Sequence, residues 1–330
     1  MPSPAASFDL FDGGLEEPRR TFARDLQMLL AVGRDGSGLA RLWRAAEPAL
    51  SLGRFHRRAP DSPRLLRRLS GGRIVPIGPG VQCLTMAVPS VDWLDPATAP
   101  LRPDQVLNRG LRPMLDALRG LGVDVFYPGR DLVTARGRTL AHASFTVMRD
   151  GATLIEMHVA ETTSFAELPS MLAALDPAGV AAADVASMEA AVSLADVGVA
   201  AAAWPELLSA TGMVMRGAWA DTMLTADEAA WSDHQDELGP AADGLAIAAA
   251  PTMLGVVECS VRMRGDRLTE LRITGDVIAP FHTLDDIASA CEAMPLRMPQ
   301  VRRALAGALS QPRSFLLGIP DLDAIIERLA

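Results

Sequence analysis

The chain contains no lysine: all 31 of its basic residues are arginine. That absence removes every chemistry that needs an ε-amino group, Schiff-base catalysis and the phosphate-loop lysine among them. Cysteine is almost as scarce. Cys83, Cys259 and Cys291 stand far apart with no CxxC or Cys/His cluster, so neither a disulfide framework nor a structural zinc site is expected. Aromatic residues make up 5%, and the core is therefore expected to be aliphatic, built from Ala, Leu, Val, Ile and the 15 methionines. The start, MPSPAASFDLFDGGLEEPRR, has no apolar run after a basic region. Neither signal peptide nor membrane span is expected, and the reading is a cytoplasmic protein without a membrane partner.

What is present bounds the answer further. A length of 330 residues fits one large domain or a large domain plus a small one, and 49% hydrophobic content is ample for a buried core. The formal net charge of −9 argues against a nucleic-acid partner, which needs an excess of cations to neutralise phosphates. Arginine is nevertheless concentrated: Arg41, Arg44, Arg54, Arg57, Arg58, Arg64, Arg67, Arg68 and Arg73 face only Glu47 and Asp61 across that stretch. Such a segment either attracts an anion or forms a solvated cationic face. No GxSxG elbow supports hydrolysis, and GLGVDV at 120–125 joins a helix to a strand, the wrong order for a dinucleotide fingerprint.

The order of elements follows from periodicity. Residues 1–20, rich in Pro, Gly and acid, read as a loose arm. TFARDLQMLLAV puts Phe22, Leu26, Leu29 and Leu30 on one helical stripe. LARLWRAAEPALSLGRF reads as two strands split at Glu47-Pro48, and RIVPI and CLTMAV as strands around Gly78-Pro79-Gly80. Residues 103–121 form a helix with Pro113 as a point of kinking or division. Residues 123–160 alternate as a β-meander turning at Gly129, Gly137 and Gly151. The Ala-rich run 166–205 reads as helical, Thr225 with Glu228 has capping-box spacing, and 239–252 reads as a linker. A hairpin turning at Gly265-Asp266, helices over 283–293 and 297–309 and a last helix from Pro320 complete a small α+β tail.

These pieces, in this order, resemble the lipoate–protein ligase A and octanoyltransferase family, which shares its fold with biotin–protein ligases. ARLWRAAEPALSLGRFHRR resembles the family's opening strand pair. RRLSGGRIVPIGPGVQCLTMAVP resembles its Arg-Arg, three-glycine hairpin segment. PGRDLVTARGRTLAHAS resembles the Gly-Arg-Asn-Asp strand and the Arg-Lys segment after it, SMEAAVSL at 187–194 a Ser-Val-x-Ser-Arg-Val segment, and ITGDV at 273–277 the Gly-Asp signature of an accessory domain. The resemblance implies an α+β fold: a mixed, mostly antiparallel sheet flanked by helices over 21–245, and a small accessory domain over 246–330. It implies ATP with Mg²⁺, a medium-chain acid such as lipoate or octanoate activated as acyl-adenylate, and an acyl-carrier, lipoyl-type domain as partner.

By the same resemblance Arg67, Arg68, Gly71 and Gly72 stand at the family's loop positions, with Arg68 as the phosphate or carboxylate contact. Two positions depart. Arg73 replaces the third glycine, and Thr139 stands where the family has a lysine, with His142 in place of a small glycine shortly after. Arg138 and Arg73 are the candidate replacement cations, though a guanidinium is bulkier than an ammonium point charge. Asp131 matches a family acid or organises a turn, and His56 follows Gly53-Arg54 near the expected ligand. Two functions stay open: an acyl ligase or transferase with a rebuilt cation, or a non-catalytic homologue that binds an acyl ligand or carrier domain. Cys83 reads as a buried structural thiol, His158 as a core or edge residue, His234 and His282 as peripheral, and Gly275-Asp276 as a turn.

Overall fold

The computed structural model describes residues 7–35, 38–56, 64–167, 170, 190–199, 204–218, 246–319 and 322–327. Eight strands build the main sheet: β1 (Phe8–Glu16), β2 (Gly38–Ala45), β6 (Val81–Val88), β7 (Val125–Phe126), β8 (Leu132–Ala135), β9 (Arg138–Val147), β10 (Thr153–Ala160) and β11 (Met213–Ala218). Their order is β11-β1-β2-β6-β10-β9-β8-β7. The pairs β11/β1 and β1/β2 are parallel and the others antiparallel, the mixed, mostly antiparallel sheet expected. A small sheet, β4-β3-β5, combines β3 (Ala49–Leu52), β4 (Leu65–Arg67) and β5 (Val75–Ile77). A third, β12-β13-β14, is antiparallel and contains β12 (Ala246–Pro251), β13 (Val256–Arg264) and β14 (Arg267–Gly275).

Helices cover both faces of the main sheet. On one side α2 (Pro103–Gly110), α3 (Arg112–Gly120) and α4 (Trp204–Ala210) bury Val106, Leu107, Met114, Leu118 and Leu208 against Leu42, Met86, Phe145 and Ile155. On the other side α1 (Pro18–Asp35) and the small sheet pack Phe22, Leu50, Leu52, Leu65 and Leu66 against Trp43 and Cys83. Helices α5 (Thr283–Cys291), α6 (Met298–Leu309) and α7 (Leu322–Glu327) join β12–β14 in a separate apolar cluster around Val257, Ile273, Ile287 and Val301. No helix among the described residues is long and apolar enough to cross a membrane.

Several expectations change. The stretch assigned to a loose arm is, from Phe8 to Glu16, a strand inside the main sheet, with Phe8, Leu10 and Phe11 buried; its acid-rich look hid an apolar alternation. The linker read over 239–252 contains β12, which pairs with β13 from Ala246 to Pro251. The stripe on α1 includes Phe22 and Leu29, but Leu30 is 48% exposed. Residues 103–121 divide at Leu111 into α2 and α3, with Pro113 in the first turn of α3, where a missing N–H breaks no hydrogen bond. Most of 166–205, the Thr225–Glu228 box and His234 lie outside the described residues. His282, read as peripheral, is buried at 7% exposure.

Candidate functional site

The candidate site forms where the β4–β5 connection lies over the α1-side face of the main sheet. Strand alternation sends one residue in two toward that face. In register, Glu156 faces Thr85 and Ser144, and His158 faces Cys83 and His142. All six are buried. Titratable groups on an inner sheet face must find partners or change protonation state, and the glycine loop supplies part of the answer.

Arg68 is 1% exposed and turned inward. Its Nε donates to Ser70 Oγ and Ser144 Oγ (3.2 and 3.3 Å), Nη1 to the Ser51 carbonyl and Oγ (2.9 and 3.4 Å), and Nη2 to the carbonyls of Gly71 and Arg73 (2.6 and 2.7 Å). A guanidinium has five N–H groups, so each already has an oxygen within the protein. Burial lowers its pKa to about 10, against the pull of Glu156, Asp276 and Asp131. Arg67, also buried, donates from Nη2 to the His56 carbonyl at 3.1 Å. The double arginine thus ties the loop to β3 and to the turn after it.

The double glycine is tied elsewhere. The Gly72 N–H donates to the Val277 carbonyl at 2.6 Å. At Gly71 a Cβ would stand 1.9 Å from that same carbonyl oxygen, and at Gly53 one would stand 2.1 Å from the Gly72 oxygen. Three backbones therefore approach at distances only glycine permits. His56 Nε2 lies 3.1 Å from both the Gly72 carbonyl oxygen and Asp276 Oδ1, while Asp276 Oδ2 accepts the Val256 N–H at 2.7 Å. Gly275-Asp276, read as a turn, is also a buried clamp over the loop.

Arg73 ion-pairs through Nε with Asp131 Oδ2 and reaches the Met253 carbonyl from Nη2 at 3.3 Å. Burial raises the Asp131 pKa while Arg73 lowers it. His142 packs 5.0 Å from the Phe165 ring. Burial, then the charges of Arg73, His158 and Arg68, hold its pKa well below the usual value, opposed by a hydrogen bond with the Asp131 backbone; the ring is neutral at physiological pH. Thr139 is buried, and its backbone pairs with the segment after Ala190: Thr139 N–H to Ala190 O at 3.1 Å and Val192 N–H to Thr139 O at 2.8 Å. Arg138 donates to the Ala191 carbonyl at 2.6 Å from an exposed position. The structure thus brings Arg68, Arg73, Asp131 and His142 together, with Arg67, Gly71, Gly72 and His56 at the adjoining clamp; Thr139 and Arg138 sit beside the 190–192 segment.

Glu156 was missed by sequence reasoning. Its Oε2 accepts the Ser70 N–H at 2.8 Å, and Ser70 Oγ in turn lies 2.5 Å from Ser144 Oγ. Burial is the first cause, and Asp25 the second, of a Glu156 pKa raised to about 7. The signal was available as a Glu and a His two residues apart in the otherwise apolar strand LIEMHVA. Burial likewise holds His158 down to about 3 and pushes the Cys83 thiol well up, so Cys83 is an inert structural thiol. Among the described residues no group of three His, Cys, Asp or Glu side chains is placed to hold a metal.

No protein-family model and no curated protein matches the sequence. Solved structures do. P. falciparum LipL1 in complex with lipoate aligns with a TM-score of 0.71 and 10% identity over 98% of this chain and 99% of that one. Lipoate-protein ligase A bound with ATP aligns at 0.51 with 16% identity, over 70% of this chain and 94% of that one. The bi-partite lipoate protein ligase of Thermoplasma acidophilum, a structure reported with its E2 lipoyl domain, aligns at 0.52 with 14% identity, over 70% and 92%. This chain has the lipoate–protein ligase fold.

Proposed function

We propose that this chain is a non-catalytic member of the lipoate ligase fold that binds a lipoyl-type carrier domain or its medium-chain acyl group, lipoate or octanoate, without forming an acyl-adenylate. The observation that carries this reading is the internal engagement of the loop: the five Arg68 N–H groups and the Gly72 N–H all donate to protein oxygens. A phosphate loop must offer backbone N–H groups and a cation to the incoming anion. Arg73 is neutralised by Asp131, Thr139 brings no charge, and no lysine exists in the chain to supply one. The loop as built therefore offers the phosphates of ATP neither the Gly72 N–H nor a donor of Arg68. In this reading the binding domain begins with β1 at Phe8 and runs to about residue 245, 246–330 is the accessory domain that clamps it, and the compartment is the reducing cytoplasm, where Cys83, Cys259 and Cys291 stay free thiols.

The test joins two measurements. ATP–pyrophosphate exchange with lipoate or octanoate is expected at background, and calorimetry with an isolated lipoyl domain, in unmodified and lipoylated forms, is expected to give saturable binding. Exchange above background that Arg68→Ala abolishes would establish instead an acyl ligase with a rebuilt cation, a reading favoured by the alignment with LipL1 over 98% of the chain. Absence of binding to either form of the domain and to both acids would overturn the proposal.

A further inference from the structure

A second candidate site lies on the opposite, α2 side of the main sheet. Between the start of α2, the end of β9 and the segment after α6 there is a cavity of about 330 Å³. Leu101, Val106, Val147 and Phe315 make its walls apolar. Pockets of about this size suit a ligand at the small end of the usual range, one that rests on apolar walls and is oriented by few polar groups.

Four polar residues, Ser90, Asp92, Arg313 and Ser314, border this cavity, and the last two each carry an oddity of their own. Ser314 Oγ is buried with no hydrogen-bond partner among the described residues, a condition that calls for a ligand or water. Arg313 has the left-handed backbone value φ 65, a conformation unfavourable for a side chain of this size and enriched at ligand sites. Arg313 is exposed, and its guanidinium makes one hydrogen bond, Nη1 to the Arg149 carbonyl at 2.8 Å. It also rests on Gly151, where a Cβ would come within 3.0 Å of Arg313 Cζ and Nη2. No carboxylate among the described residues forms an ion pair with Arg313. The carboxylate in the wall, Asp92, accepts the Leu101 N–H through Oδ1 at 2.7 Å.

We propose that this cavity binds a small carboxylate with a short apolar tail, the carboxylate meeting Arg313 and Ser314 Oγ and the tail lying against Leu101, Val106, Val147 and Phe315. A guanidinium with donors beyond its one bond to a backbone carbonyl, beside a buried unpartnered hydroxyl, offers both oxygens of a carboxylate a partner. The apolar walls favour a saturated chain over a polar metabolite. This site stands on side chains that the glycine loop does not use, so its occupancy is independent of the carrier-binding reading.

The probe is hexanoate, titrated calorimetrically into the full chain, with hexanol as the uncharged comparator. Arg313→Gly suits the left-handed backbone, and Ser314→Ala is the second variant, with thermal unfolding confirming that both fold. Saturable hexanoate binding is expected, weakened about tenfold or more in Arg313→Gly and severalfold in Ser314→Ala, with hexanol binding weakly and equally to wild type and Arg313→Gly. No saturable hexanoate binding, equal hexanoate affinity in wild type and both variants, or hexanol as tight as hexanoate would each overturn the proposal. Hexanoate held at the glycine loop instead would ignore both substitutions, which separates the two sites.

Discussion

Arg68 carries its charge among neutral oxygens: hydroxyls of Ser51, Ser70 and Ser144 and carbonyls of Ser51, Gly71 and Arg73. Removing the side chain strands several buried acceptors at once. Arg68→Ala is therefore expected to destabilise the protein by about 3–5 kcal/mol in urea unfolding. Arg68→Lys is expected to recover less than half of that, since one ammonium cannot span the oxygens a planar fork reaches. Unchanged stability in Arg68→Ala would mean that the side chain waits for a ligand. Glu156 extends the same logic to pH. A carboxyl whose native pKa, about 7, stands above its ordinary 4.5 binds its proton more tightly in the folded chain. Its contribution to stability is present in full below pH 4.5 and is lost as pH rises through 7. Asp25 and Asp131, also raised by burial, slope the same way. His142 and His158, held low by burial, slope the opposite way, so the Glu156 contribution is read as a difference. Glu156→Gln should gain in thermal midpoint relative to the wild type as pH rises from 5 to 8, and a constant difference between the two proteins would remove Glu156 from the account. At this scale the double arginine and double glycine were legible as a motif, but their direction was not. Sequence cannot tell a guanidinium facing a pocket from one facing its own carbonyls, because that depends on where Ser51, Ser70 and Ser144 meet.

The decisive element is the chain from Gly275 to Ile278, which follows β14 and covers the loop. Gly71 and Gly72 resemble a phosphate cradle in sequence, yet their space is taken by the Val277 carbonyl and the Ile278 side chain. Gly71→Ala would place a Cβ 1.9 Å from Val277 O, and backbone cannot yield as a flexible side chain does. The expected result is loss of protection at the Gly72 amide in hydrogen exchange, with a stability loss of about 2–4 kcal/mol. Retained protection would show that the clamp is loose enough to open for a ligand. The strands on either side of this loop were readable because alternation is local: β3, β5, β6 and the β7–β10 meander fall where periodicity puts them. The clamp was unreadable because it pairs Gly72 with a residue 205 positions later, a contact no local pattern encodes.

At the scale of the whole molecule, the parallel side of the sheet is built around the chain's first described strand, with β11 at the edge. β1 lies between β2 and β11 and pairs with both, and it delivers Glu16 to a fully buried Arg41, which also holds Asp25 at 2.6 Å. Composition pointed the other way, because prolines, glycines and acids outnumber apolar residues over the first 20 positions and each suggests a disordered arm. Strand identity there comes from partners far along the chain, Gly38–Ala45 on one side and Met213–Ala218 on the other. Deleting residues 1–16 therefore removes two ladders and leaves Arg41 short of a carboxylate in a dry interior, a loss expected to cost about 3–5 kcal/mol from the broken ion pair alone. The exposed edge of β2 would also invite strand addition between molecules. The truncated chain should unfold at a midpoint at least about 10 °C lower, or aggregate on expression. Glu16→Gln, which keeps the strand and removes the charge, should show a smaller loss without aggregation. A truncated protein that stays monomeric with the wild-type midpoint in light scattering and calorimetry would return the first residues to the status of an arm and leave Arg41 to be balanced by Asp25 alone.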